Sequence, residues 1–213
     1  MDFDVEGSLG AVMRAVSPLE RDGQRAYAVT LTRSYATAVR ELWDAVANDR
    51  RIQHWFLPVS GELELGGRYQ LEGNAGGVIT ECERLSRFAI TWEFGKDVSW
   101  VEVCVSPAGA GRAQLTLTHT QHASDHWGEY GPGATGVGWE LGLWALAIHL
   151  RDPTESMPDA VAFASSPDGK AFITGSSERW GQAAIAAGTD PEAARAAARR
   201  TSEFYTGESA ELD

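Results

Sequence analysis

LTHTQHASDHWGEYGPGATGVGWELG, residues 117–142, is the stretch on which the fold turns. It carries His119, His122 and His126, and then Gly131, Gly133 and Gly136 in the spacing G-x-G-x-x-G. Three histidines invite a transition-metal reading, but a zinc site needs three or four convergent ligands, and nothing in this spacing sets these three on one face. The glycines invite a dinucleotide reading, which needs a strand running straight into the turn and a parallel strand beyond it. The preceding strand alternates as antiparallel strands do, and no strand pattern follows. Ser124, Asp125 and His126 are neighbours in sequence only, whereas a catalytic triad is defined by convergence in space beside an oxyanion hole. The stretch therefore reads as a connection from a last strand to a long helix, rimming a ligand cavity, with Pro132 and the glycines letting the chain reverse and giving it the freedom of a lid.

Downstream, residues 135–151 form the expected helix. Val137, Leu141, Trp144 and Ile148 make one apolar stripe, and Trp139, Leu143, Leu146 and Leu150 a second on nearly the opposite side, so the helix needs two covers. Upstream, AQLTLTH sets Ala113, Leu115, Leu117 and His119 on one face. SWVEVCV does the same with Val101, Val103 and Val105, and FAITWEF with Phe88, Ile90, Trp92 and Phe94. GVITECERL is a less regular strand. GELELGGRYQLEG reads as a hairpin, Leu63 and Leu65 before a Gly66-Gly67 turn and Tyr69 and Leu71 after it. AYAVTLTR, residues 26–33, alternates strictly. Between it and the hairpin lie two short helices, the first capped by Thr37 and the second ended by Pro58. The expectation is an α+β helix-grip fold: a curved seven-stranded antiparallel sheet, one face buried, wrapped around a long helix with space between them.

The tail supplies helices. SPDGKAFITGSSERWGQAAIAAG has Ser166 as cap and Gly188 as stop. TDPEAARAAARRTSEFYTG has a Thr189–Glu192 capping box and stops at Gly207. Three segments result: a lead-in over 1–24, read as a short helix or loose chain; a helix-grip domain over 25–151; and a helical extension over 152–213 packed on it. A dimerisation arm, and with it a homodimer, is the second reading of the tail.

The net charge of −12 and pI near 4.8 exclude a nucleic-acid backbone binder, which needs clustered Lys and Arg. They also disfavour docking on anionic membranes, and no apolar run reaches the roughly 20 residues that span a bilayer. MDFDVEGSLG lacks a secretion signal, and Cys82 and Cys104 read as buried free thiols, so the expected location is cytoplasmic. Eight tryptophans imply a core or pocket with wide aromatic walls.

The segments LWDAVANDRRIQHWFLP, LELGGRYQLEGNAGGVITECE, AITWEFG, SWVEVCVSP, LTLTHT and GVGWELGLWAL occur in an order that resembles the START-like helix-grip superfamily. Within it they resemble the branch named after activators of the heat-shock protein 90 ATPase, and the tail is similar to that of a bacterial subgroup ending in FYTG. The resemblance implies a cavity that binds lipids, hormones or polyketides, or that catalyses cyclisation or hydration. It brings no catalytic motif, cofactor or metal.

The preferred reading is a binder of a small, largely apolar molecule. Trp92, Trp144, Val103 and Leu117 would form walls, with Trp55, Phe56 and Tyr69 near the open end. His119, Glu140, Tyr69 and Tyr130 would supply polar contacts. His119 reads equally as a hydrogen-bonded core histidine, and Glu140 also as one half of an ion pair with an arginine. Two other readings stay open: a cyclase- or hydratase-like enzyme using the same cavity, and an interaction module docking a chaperone through its acidic surface.

Overall fold

A computed structural model describes residues 4–155 and 159–207; the remaining residues of the expected lead-in and tail lie outside them. The fold is α+β and of the helix-grip type, with an eight-stranded antiparallel sheet in the order β1-β2-β8-β7-β6-β5-β4-β3. The chain divides into two compact units, residues 32–121 with 142–157, and residues 1–31 with 122–141 and 158–213.

In the first unit, β2 (Gln24–Tyr35) ends and leads into α2 (Val39–Ala47) and α3 (Asp49–Ile52). The expected cap Thr37 is replaced by Ala38, which makes no side-chain cap bond. This helix is held instead by its buried face of Leu42, Trp43, Ala45 and Val46, the more usual source of stability for a short helix. Next come β3 (Val59–Gly61), β4 (Arg68–Leu71), β5 (Gly76–Glu83), β6 (Arg87–Phe94), β7 (Asp97–Pro107) and β8 (Ala113–His122). The expected hairpin is corrected here. Its first arm is Val59–Gly61, which pairs with Tyr69–Leu71, and Leu63 and Leu65 lie exposed in the connection. β6, β7 and β8 pair in full register: Phe88 faces Val103, Ile90 faces Val101, and Val101 and Val103 face His119 and Leu117. The alternation read from the sequence is thus one continuous inner face as far as Trp92, while Phe94 at the end of β6 is exposed. Cys82 and Cys104 are free thiols, but neither is buried as expected: Cys104 is half-buried, and Cys82 is exposed because it falls on the outer part of β5 beyond the shift between Ile79 and Glu81.

The second unit holds the strand that the sequence reading lacked. Val12–Arg21 is β1, following α1 (Val5–Gly10), so the sheet has eight strands and not seven. β1 joins β2 through Asp22 and Gly23, both at positive φ (52° and 73°), the backbone of a type I′ turn that matches the twist of the strands. After β8 the connection is not an open loop: Ser124 caps α4 (Asp125–Tyr130), accepting from the Trp127 N–H. His122 therefore closes a strand and His126 sits on a helix.

α5 (Gly133–Arg151) spans both units, and each of its apolar stripes contributes buried residues, Val137 and Ile148 from one and Leu143 and Leu146 from the other. The tail forms α6 (Ala160–Ser165), α7 (Pro167–Ala186) and α8 (Pro191–Thr206). Ser166 caps α7 as read. α8 is capped by Asp190 instead of Thr189, its carboxylate accepting from the N–H groups of Glu192 and Ala193. α7 packs on α1, β1, α6 and α8. Gly133 and Gly136 sit where helices approach closely: a Cβ on Gly133 would lie 2.7 Å from Thr201 Oγ1, and one on Gly136 would overlap the Trp180 indole. That contact explains the glycine spacing without any nucleotide.

Candidate functional site

Eight of the ten sequence candidates fall in one unit, and the inner face of β6–β8 carries four of them, Trp92, Val103, Leu117 and His119. Parity puts Ile90 and Trp92 inward on β6, Ser99, Val101 and Val103 on β7, and Leu117 and His119 on β8. Val103 and Leu117 are cross-strand partners and both buried, a sealed part of the wall. Tyr69, Leu71 and Ile79 form a buried cluster against which Phe56, Leu57, Ile90 and Trp92 pack, each partly accessible. Tyr69 donates its hydroxyl to the Thr91 carbonyl at 2.7 Å, which fixes the ring, and burial raises its pKa well above the ordinary phenol value. Trp55 donates its indole N–H to the Ala45 carbonyl at 2.9 Å and lies beside Phe56, ring centroids 5.5 Å apart. Both rings lie against α5 at Gly142, where an added Cβ would make ordinary van der Waals contact with them. Trp144, two residues on, is half-buried.

At the end of this face sits a polar pair. His119 is buried, with Nε2 2.8 Å from Ser99 Oγ and its ring 5.9 Å from that of Trp92. Ser99 Oγ also lies 3.2 Å from the Trp92 carbonyl, which can only accept. Ser99 Oγ thus bridges the His119 imidazole and the Trp92 carbonyl. Burial lowers the His119 pKa to about 4, so the ring is neutral at physiological pH. Ser99 was missed in the sequence although its signal was there: it lies two residues before Val101, on the same face of the strand.

The remaining two candidates belong to the other unit and have partners there. Glu140 is fully buried, and both its oxygens receive the Arg14 guanidinium at 2.6 Å. Arg14 also donates to the carbonyls of Val12 and Leu9. A buried pair so completely bonded is held fast, because removing one partner strands a charge at a cost of about 3–5 kcal/mol. Tyr130 is half-buried at the end of α4, against His126 and Phe204 with ring centroids 4.9 and 5.4 Å away. Among the described residues no three His, Cys, Asp or Glu side chains are grouped to hold a metal ion, and no helix is long and apolar enough to cross a membrane.

Comparison with known proteins places this geometry in a family. Residues 36–151 match the family model of Activator of Hsp90 ATPase homolog 1-like proteins. CalU16 from Micromonospora echinospora is similar in two structures. Its solution structure has 29% identity and a TM-score of 0.70, covering 83% of this chain and 97% of that one. Its crystal structure has 27% identity and a TM-score of 0.67, covering 82% and 99%. PFC0360w, an HSP90 activator from Plasmodium falciparum, shares the fold at 22% identity and a TM-score of 0.51, covering 58% of this chain and 96% of that one. No protein of curated function matches.

Proposed function

Since the chain belongs to the family of Activator of Hsp90 ATPase homolog 1-like proteins, we propose that it binds a small, largely apolar molecule against the inner face of β6–β8, in the cytoplasm. The observation that carries this reading is the character of that face. Phe56, Ile90 and Trp92 remain partly accessible around the buried Tyr69 cluster, and the His119–Ser99 pair stands at the end of an otherwise apolar wall. Ligand sites combine these same ingredients, apolar surface and a few fixed polar groups. Trp92, Trp144, Val103 and Leu117 are the proposed walls, Trp55 and Phe56 the proposed mouth, and His119 and Tyr69 the orienting groups. Glu140 and Tyr130 are assigned supporting roles in their own unit.

The test is mass spectrometry of gently purified protein, native and then denatured, followed by titration of any released molecule into Trp92→Ala and Trp144→Ala variants. A released small molecule that binds both variants at least tenfold more weakly supports the reading, a loss of about 1.4 kcal/mol. Unchanged affinity in folded variants overturns it. The native mass also distinguishes monomer from homodimer.

The family description and the −12 charge favour a second reading, a co-chaperone-like interaction module. It predicts salt-sensitive association with an Hsp90-type chaperone that is indifferent to Trp92→Ala. An enzymatic variant of the first reading would use His119 as a base and lose turnover, with binding retained, in His119→Ala.

A further inference from the structure

A cleft lies wholly within the other unit, between the start of β2, α4 and the α7–α8 corner, with a volume of about 270 Å³. Eleven of its fifteen lining residues fall outside the stretch matched by the family model, so this chain's own β1–β2 hairpin and tail build it. One wall is aromatic: Tyr27 and Trp127 are stacked with ring centroids 4.2 Å apart and planes 9° from parallel. That stack is held from below, since the Ala123 N–H donates to the Arg25 carbonyl at 2.9 Å and ties the start of α4 to β2. Facing it, α8 presents Ala193, Ala194 and Ala197, side chains that leave the space open.

The charge at this cleft is as telling as its shape. In a chain of net charge −12, the exposed Arg25 guanidinium has no carboxylate partner among the described residues; its contact is the Tyr27 ring, 5.2 Å from the centroid. Asp190, at the α7–α8 corner, accepts from two backbone N–H groups in capping α8 and is not among the residues that line the cleft. A lone guanidinium beside an apolar slot offers a fork for one planar anion. A volume just under the roughly 300 Å³ lower bound of drug-sized pockets suits a molecule of one or two rings.

We propose that this cleft binds a small flat aromatic carboxylate, its ring against Tyr27 and Trp127 and its carboxylate on Arg25. This site is separate from the apolar-ligand face proposed above and does not depend on it.

The test titrates 2-naphthoate, with neutral 2-naphthylmethanol as its control, into the full-length protein labelled with 15N at its tryptophans. The Trp127 indole N–H is assigned by loss of its signal in Trp127→Phe. The expected result is a saturable shift of the Trp127 signal with naphthoate, about tenfold weaker with the neutral alcohol or in Arg25→Gln, as loss of one charge-assisted contact implies. Ala193→Phe, at an exposed position on the slot, should abolish the shift while circular dichroism stays unchanged. No shift at Trp127, equal affinity in Arg25→Gln or for the alcohol, or shifts confined to the Trp92 and Trp144 indoles would each overturn the proposal.

Discussion

His119 shows how much one burial event decides. An imidazole at the end of an alternating strand is a polar group with two outcomes, and sequence parity predicts only that it points inward. The structure puts it against Trp92 and Ser99, where desolvation holds its pKa at about 4, below the roughly 6.5 of an unfolded histidine. The unfolded chain therefore binds a proton that the native chain refuses. The stability linked to this residue is complete above pH 6.5, falls as the pH drops below it, and is fully lost below pH 4. The span amounts to about 3 kcal/mol. Urea unfolding of the protein and of His119→Gln at pH 7 and pH 4.5 should show a steeper acid loss in the parent, and equal losses would mean the ring is not buried neutral. Glu140 teaches the complementary lesson. The sequence shows an acid on an apolar helix, but its partner Arg14 is 126 residues away on a strand that the sequence reading did not contain.

At the scale of elements, legibility followed the density of local signals. β6, β7, β8 and α5 were readable because each carries an uninterrupted period. β1 was not: its exposed positions outnumber its buried ones, and Pro18 interrupts it, as suits a strand at the sheet's edge. Asp22-Gly23 was the available clue, a hairpin dipeptide directly before a clear strand. The cap shifted by one residue at α8 because Thr189 and Asp190 adjoin and only backbone geometry chooses between them, whereas α2 starts after Ala38 without any side-chain cap. The glycines of α5 carry the prediction at this scale. Gly136→Ala raises helix propensity by about 1 kcal/mol. Its Cβ nevertheless meets the fully buried Trp180 indole, which has no room to retreat. We expect a net destabilisation of roughly 2 kcal/mol, set by overpacking. Gly10→Ala, with nothing within 4 Å of its Cβ, is the control and should leave the melting temperature unchanged or raise it.

At the scale of the molecule, the tail is structural material. Phe172, Ile173 and Trp180 of α7 are at most 1% exposed, and Trp180 and Tyr205 close on the first half of α5 at Gly136 and the Ala134 carbonyl. A chain ending at Arg151 would leave Leu9 and the Gly133–Val137 turn without these neighbours. Such an exposed apolar area favours association. The truncated chain is expected to bind an apolar fluorescent dye and to lose a sharp thermal transition. A cooperative, dye-negative melt would show the tail to be dispensable.

Periodicity and turn chemistry by themselves determined the fold class and the inward face of the central strands, because each depends on neighbours within a few residues. Tertiary structure alone decided which polar groups became satisfied core and which stayed available. Arg14 neutralises Glu140, Ser99 occupies His119, and the guanidinium of Arg25 is left facing a slot. Those outcomes depend on distances between residues far apart in the chain, and no local pattern encodes them.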